Sequence, residues 1–270
     1  MTNLQILILS VIQGFTEFLP VSSSGHLILL SKFTNFPDQG IELDAAVHVG
    51  SILAVLIYFN KDIWRMITGV IKTHFKPSFQ NHGAKMFWLL LMGTIPAVIF
   101  GLLLHSFGTD WLRNTKIIGW NILIFGILLG IADEWCPSER KLENMRAKDA
   151  LLIGFAQCLA LIPGTSRSGI TITMSRLLRI ERREAAKFCM LLSVPVIAGA
   201  GLLLGIEMYK DGDFTKLHHA ALGVGYSFIA SIAAIFIMMN WLKKYTFLPF
   251  VLYRVALGAF LLAYSYGFID

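Results

Sequence analysis

Six apolar stretches bounded by polar or charged residues run through the chain, at 45–59, 86–107, 117–132, 186–208, 220–242 and 248–269. A helix needs about 20 apolar residues to cross a hydrocarbon core of about 30 Å, and these approach that length, so they predict six transmembrane helices. Two further regions break the pattern. Residues 4–19 and 150–162 run into Pro20 and Pro163, then into the polar strings Ser22-Ser23-Ser24-Gly25 and Ser166-Arg167-Ser168-Gly169. A second short apolar piece follows each string, at 27–33 and 170–178. At about 1.5 Å per residue, 150–162 extends only about 20 Å. Both regions predict re-entrant hairpins, helix then break then helix, entering and leaving on one side.

The two hairpins echo each other. Gln13 precedes Gly25 by the same interval as Gln157 precedes Gly169, and 144 residues separate either residue from its counterpart. Polar loops are costly in hydrocarbon, where an unpaired backbone or hydroxyl group loses several kcal/mol. Two of them, placed alike in the two halves, point to one site built from a repeat.

Composition fits a membrane setting. The chain is 56% hydrophobic and 15% charged, and its mean hydropathy is +0.66, as in polytopic membrane proteins. A net charge of +6 and pI near 9.3 would suit nucleic acid, but the basic residues fall in short segments between apolar stretches, which is membrane topology and not a nucleic-acid face. No basic region precedes the first apolar run, so no cleavable signal peptide is expected. Cys136, Cys158 and Cys189 lack metal-ligand spacing, and no disulfide is expected.

Charge also orients the chain. If the hairpins do not cross, the six spans put the segments 61–85, 140–148, 176–187 and 243–244 on one side, with sixteen of the 23 Lys and Arg. Lys32, Arg113, Lys116, Lys210 and Lys216 fall on the other, and Arg167 and Arg254 stay within the membrane. The basic side is then cytoplasmic. The first hairpin enters from outside and the second from the cytoplasm, an inverted-topology repeat whose breaks meet near the midplane. The fold expected is an all-α polytopic membrane protein, one integral domain over 1–270 with repeat halves of about 1–132 and 150–270. The mixed charges of 133–149 form a solvated cytoplasmic loop, and Arg176, Arg179, Arg182 and Arg183 an orientation signal touching anionic lipid.

A helix that begins inside a membrane aims unpaired N–H groups and a positive dipole end at whatever lies before it. Two such starts facing each other would cradle a phosphate. Ser22, Ser23, Ser24 and Gly25 supply one start, and Thr165, Ser166, Arg167 and Ser168 the other; Gly25, Gly164 and Gly169 allow close backbone approach. Arg167 offers a planar fork for phosphate oxygens. Glu17, one helical turn after Gln13, would bind magnesium together with a pyrophosphate, or else pair with Arg167 as structural glue. His26 reads as an acid, base or nucleophile, or as a hydrogen-bonded structural residue. His48 reads equally as cavity-lining or structural. Arg254 would snorkel or pair with an acidic group.

The strings Gln13-Gly14-Phe15-Thr16-Glu17-Phe18-Leu19-Pro20-Val21-Ser22-Ser23-Ser24-Gly25-His26 and Pro163-Gly164-Thr165-Ser166-Arg167-Ser168-Gly169-Ile170-Thr171 resemble the two signature motifs of the BacA-type undecaprenyl-diphosphate phosphatase family. The resemblance covers essentially the whole chain in length, motif order and apolar pattern. It implies a phosphatase of the bacterial inner membrane that converts undecaprenyl diphosphate to the monophosphate carrier of peptidoglycan synthesis and opposes bacitracin. Its implied functional residues are Glu17, the pair Ser22 and Ser23, His26 and Arg167. The family accepts glutamate or glutamine at its motif's first position, here Gln13, so two metal-bound carboxylates are not implied. A divalent cation, Mg2+ or Ca2+, is expected on Glu17 with Gln13 as a second ligand.

In this reading the cavity opens to the outer, periplasmic face, Arg167 and the helix starts hold the diphosphate, and the attacking group is Ser23, His26 or a water. The expected partners are the lipid substrate and membrane lipid, with no nucleic acid; a homodimer is left open. Broken helices in inverted repeats also occur in transporters, so the alternative reading is a carrier or flippase of polyprenyl phosphate lipids.

Overall fold

The protein is described by a computed structural model covering residues 1–34, 40–105, 114–211 and 214–269. Phe107, where the second span was expected to end, and Arg113 lie outside the described residues. The described chain is helical, with one isolated bridge between Arg140 and Ile180. The helices are α1 (Asn3–Phe18), α2 (Ser23–Phe33), α3 (Gly40–Tyr58), α4 (Asn60–Lys72), α5 (His82–His105), α6 (Thr115–Trp135), α7 (Ala147–Cys158), α8 (Arg167–Leu177), α9 (Arg182–Asp211), α10 (Phe214–Trp241) and α11 (Leu248–Ser265).

Local chemistry sets the ends. Thr2 and Gln5 cap α1 reciprocally, the Thr2 side chain accepting from Gln5 N and Gln5 Oε1 from Thr2 N, which satisfies two otherwise unpaired donors. Pro20 then disfavours helical backbone at Leu19, which is extended, as residues before proline tend to be. Asn114 caps α6, and proline sits at the start of α11, where its missing N–H costs nothing. The apolar piece 150–162 divides into α7 and a 3-10 turn at Leu159–Leu161 before the second break.

Helix α10 packs against α1 and α3, α6 against α11, α5 against α7, and α9 against α3. Between them lies a core that includes Phe18, Leu89, Leu129, Ile153, Phe188 and Ile235. Outward faces are apolar too: Ile95, Ile99 and Leu102 on α5, Trp120, Ile124 and Ile131 on α6, Phe236 on α10 and Phe260 on α11 are exposed. Buried charge with exposed apolar helix faces reverses the pattern of a water-soluble domain and suits a lipid environment. Among the described residues, α5, α6, α10 and α11 are long and apolar enough to cross a membrane, and α3 with α4 makes a fifth candidate, bent by 79°. The molecule is an all-α multi-pass membrane protein.

Three expectations need correction. Residues 60–72, read as part of a basic loop, form helix α4, which buries Met66, Gly69 and Val70 and exposes Trp64, Ile67 and Ile71. The mixed segment 133–149 is not simply solvated, because Asp133 and Asp149 are buried. Asp133 accepts from Arg176 Nε (3.0 Å), Arg182 Nε (2.7 Å) and the Phe247 N–H (2.9 Å). Arg176, taken as an orientation signal, is fully buried; it helps fasten α6, α8 and α9 together and leaves no charge for lipid.

Candidate active site

Each break is built on a serine in the left-handed region. Ser22 (φ 75°) and Ser166 (φ 71°) precede α2 and α8. Such backbone costs about 1–3 kcal/mol for a side-chain-bearing residue and persists only where its surroundings enforce it. Here the hydroxyl is part of the enforcement. Ser22 Oγ accepts from Gly25 N (3.3 Å) and Ser166 Oγ from Gly169 N (3.0 Å). Gly164, at φ 92°, completes the second turn, and a Cβ there would lie 2.6 Å from Ile118 O. The 144-residue echo in sequence is therefore an echo in capping geometry, and it brings the first residues of the two short helices, Ser23 and Arg167, to one carboxylate.

That carboxylate is Glu17, on the last turn of α1 and buried. Arg167 pairs with its Oε1. Its Oε2 accepts from Ser23 Oγ at 2.7 Å and from Gln13 Nε2 at 2.8 Å, and lies 3.5 Å from His48 Nε2. His48 in turn is held by its Nδ1 contact of 2.6 Å with Asp44 O. Glu17, Ser23, Ser24, His48, Ser166 and Arg167 line a chamber of about 410 Å3, with Asp44 and Gln157 also in its wall and Leu161, Val196 and Ile197 supplying apolar surface. A concave, largely apolar cavity with a few convergent polar groups is the usual form of a small-molecule site.

The expected phosphate residues thus divide. Ser23, Ser24, Ser166 and Arg167 line the chamber, whereas Ser22, Gly25, Thr165 and Ser168 are buried outside its lining. Ser22 is occupied as a cap, and Ser168 Oγ donates to Leu19 O (3.0 Å), tying the second break to the first. His26 is not brought to Glu17. Its Nδ1 lies 2.7 Å from Ser22 O and its Nε2 2.6 Å from Tyr253 Oη, with the two rings stacked.

Arg254 neither snorkels nor pairs with an acidic group among the described residues. It is fully buried on α11 and donates to the carbonyls of Pro20 (3.4 Å), Asn121 (3.3 Å), Ile122 (3.1 Å), Gly164 (3.1 Å) and Thr165 (2.9 Å). One guanidinium thereby holds both breaks and α6 together. Tyr253 and Arg254 are the residues that sequence reasoning missed as parts of this site. A charged residue at an apolar position was the available signal, and the carbonyls it seeks leave no trace in side-chain identity.

A divalent cation can be tested against these groups. No three His, Cys, Asp or Glu side chains converge on a metal-holding point among the described residues. Glu17 stands alone beside the Gln13 amide, whose Oε1 is buried with no partner. Gln13 turns its Nε2, not its oxygen, toward Glu17 and does not line the chamber, so of the expected pair Glu17 alone is placed to hold magnesium, which keeps most of its shell as water and substrate phosphate.

The family model described as Bacitracin resistance protein BacA matches residues 6–260. The Undecaprenyl-diphosphatase of Erythrobacter litoralis is 44% identical over 287 residues, covering 98% of this chain and 100% of the relative. That of Roseobacter denitrificans is 45% identical over 268 residues, covering 99% and 100%, and that of Alteromonas mediterranea 43% over 267 residues, covering 99% and 100%. With the match running through both breaks and along nearly the whole sequence, the chain belongs to the BacA family.

Proposed function

We propose that this protein hydrolyses undecaprenyl diphosphate to undecaprenyl phosphate and inorganic phosphate, recycling the carrier lipid for peptidoglycan synthesis and opposing bacitracin. The observation that carries the reading is the Glu17 carboxylate, which joins Ser23 Oγ and the Arg167 guanidinium at the wall of one chamber. A hydroxyl, a base and a cation around one cavity are the parts that phosphoryl transfer needs, since its transition state is served mainly by positioning and charge.

The diphosphate takes Arg167 from Glu17 on binding, and the released carboxylate becomes the base for Ser23. Ser23 Oγ attacks the terminal phosphorus, and the bond to the bridging oxygen breaks. Glu17 passes the Ser23 proton to the departing lipid phosphate and is again a carboxylate. Water then attacks the phosphoserine; its proton returns through Glu17 to Ser23 Oγ, and inorganic phosphate leaves. The contacts of His26 with Ser22 and Tyr253 support a role in holding the first break, with Ser23 as the nucleophile in this proposal. A divalent cation held by Glu17 would neutralise charge on the diphosphate.

The chain would sit in the bacterial inner membrane with six spans and two re-entrant hairpins in inverted repeat, the chamber opening to the periplasm. The loop charges and the matched caps support this arrangement. So does the position of the chamber along α5 and α9. These helices begin in the basic segments at His82 and Arg182 and line the chamber at Ala97 and at Val196 and Ile197, about 20 Å further along at 1.5 Å per residue. Phosphate release by purified protein in detergent tests the activity. Arg167→Ala should lower it about 10²–10³-fold, the loss typical of a transition-state charge partner; wild-type turnover in that variant refutes the arrangement.

A further inference from the structure

Few buried polar atoms go unpartnered in folded proteins, and each one calls for a reason. Among the described residues, the unpartnered buried side-chain atoms are Gln13 Oε1, Gln157 Oε1, Thr165 Oγ1, Trp88 Nε1 and Ser265 Oγ. Three of these belong to the two breaks and the helices leading into them. Gln13 and Gln157 are also counterparts at the repeat offset, and they are unpartnered at the same atom. In both, the amide nitrogen is engaged and the oxygen left over: Gln13 Nε2 donates to Glu17 Oε2, and Gln157 Nε2 to Gly93 O at 3.4 Å. The donor bond fixes which end of each amide is which.

They differ in where they stand. Gln13 is fully buried beside Glu17 and does not line the chamber, whereas Gln157, 3% exposed, shares the chamber wall with Glu17, Ser23, Ser166 and Arg167. Its spare oxygen is an acceptor. An acceptor does not recognise phosphate oxygens, which are themselves acceptors at neutral pH, but it suits a donor that phosphate hydrolysis also requires, namely water. A carboxamide is no base, so its part would be to hold a water by one O–H while another group takes the proton.

We infer that Gln157 orients the water that hydrolyses the phosphoserine intermediate, its Oε1 accepting a hydrogen bond while Glu17 removes the proton. The water oxygen bonds to phosphorus, the phosphorus–Oγ bond of Ser23 breaks, and the proton held by Glu17 passes to Oγ. Gln157 enters and leaves the step unchanged; it is a positioning residue that acts through the water. The inference rests on the Ser23 route proposed above and assigns it a residue that acts in the second half of turnover only.

That division gives the test. Full-length protein in detergent is mixed with undecaprenyl diphosphate labelled in its terminal phosphate, quenched in acid on the millisecond scale, and scored for lipid monophosphate, free phosphate and label on protein. For Gln157→Leu the expected result is an initial burst of about one lipid monophosphate per chain at the wild-type rate, followed by turnover reduced about 10²-fold, with label accumulating on Ser23. Gln157→Glu, which keeps an oxygen at that position, should recover much of the turnover. A merely structural role would depress burst and steady state together, and that outcome overturns the inference, as does unchanged turnover in Gln157→Leu. Label on Ser23 in the wild type without extra accumulation in Gln157→Leu overturns it and leaves the Ser23 route standing. Active wild type that carries no label at any quench time sinks the Ser23 route itself.

Discussion

Replacing Arg254 by methionine should weaken the fold and the reaction together, and the sizes can be worked from its partners. Asn121 and Ile122 lie inside α6 and keep their helical bonds, but the carbonyls of Pro20, Gly164 and Thr165 belong to the breaks, outside any helix. Three buried acceptors left unmet cost roughly 1–3 kcal/mol each. Against this, methionine avoids the several kcal/mol spent in burying a charge. The net expectation is a loss of about 2–4 kcal/mol, at the upper end for single substitutions. Unfolding in detergent, followed by tryptophan fluorescence, measures it. Turnover should fall about 10²-fold, because displacing the breaks by about 1 Å separates Ser23 from its substrate, and Arg254→Lys should fall between. Gly126→Ala offers an independent handle: a Cβ on Gly126 would sit 2.7 Å from Arg254 Cβ, and its three nearest atoms all belong to Arg254. It should reproduce part of both defects without touching either break, and the double variant should be less impaired than the sum of the singles. Wild-type unfolding and turnover in Arg254→Met, or simple additivity in the pair, would refute the reasoning.

Glu17→Gln should lower turnover at least about 10²-fold, since it removes the base for Ser23 and the counter-charge of Arg167, and phosphate-release assays at saturating substrate will read it. Tyr253→Phe deletes one hydrogen bond to His26 and should cost about 1 kcal/mol in unfolding while leaving turnover within about tenfold; complete inactivation would instead place His26 in the chemistry. Impermeant amine labelling of intact cells should reach Lys116 and not Lys148, both exposed, and equal labelling of the two contradicts the inverted arrangement.

Much of the site could be read before any geometry. Apolar stretches interrupted by proline and serine marked both breaks, whereas the hydroxyls of Ser22 and Ser166, expected at a phosphate, accept from the N–H groups of Gly25 and Gly169 as helix caps. Glu17 and Arg167 were legible because charge in apolar sequence has few reasons to be there. The rest was hidden for definite reasons. Helix α4 carries a helical period at Ile63, Met66, Ile67, Val70 and Ile71, but polar residues fill its other face, so a search for continuous apolar runs passes over it. His26 was assigned by proximity along the chain, yet its ring turns toward α11, a long-range contact that no local spacing encodes. Arg254 satisfies backbone carbonyls, which every residue carries, and Asp133 gathers two arginines and an N–H from helices far apart in sequence.

The fastening of both breaks by Arg254 has a consequence for biosynthesis. The residue follows both breaks in the chain, so each hairpin enters the bilayer before the group that locks it has been made. Until α11 inserts, the carbonyls at Pro20, Gly164 and Thr165 must be met by water or by the insertion machinery. A nascent chain arrested before residue 254 would hold Glu17 and Ser23 of the first break and Arg167 of the second without the means to align them. Catalytic competence would therefore arrive in a single late event, and incompletely made chains would be kept from acting on the carrier lipid.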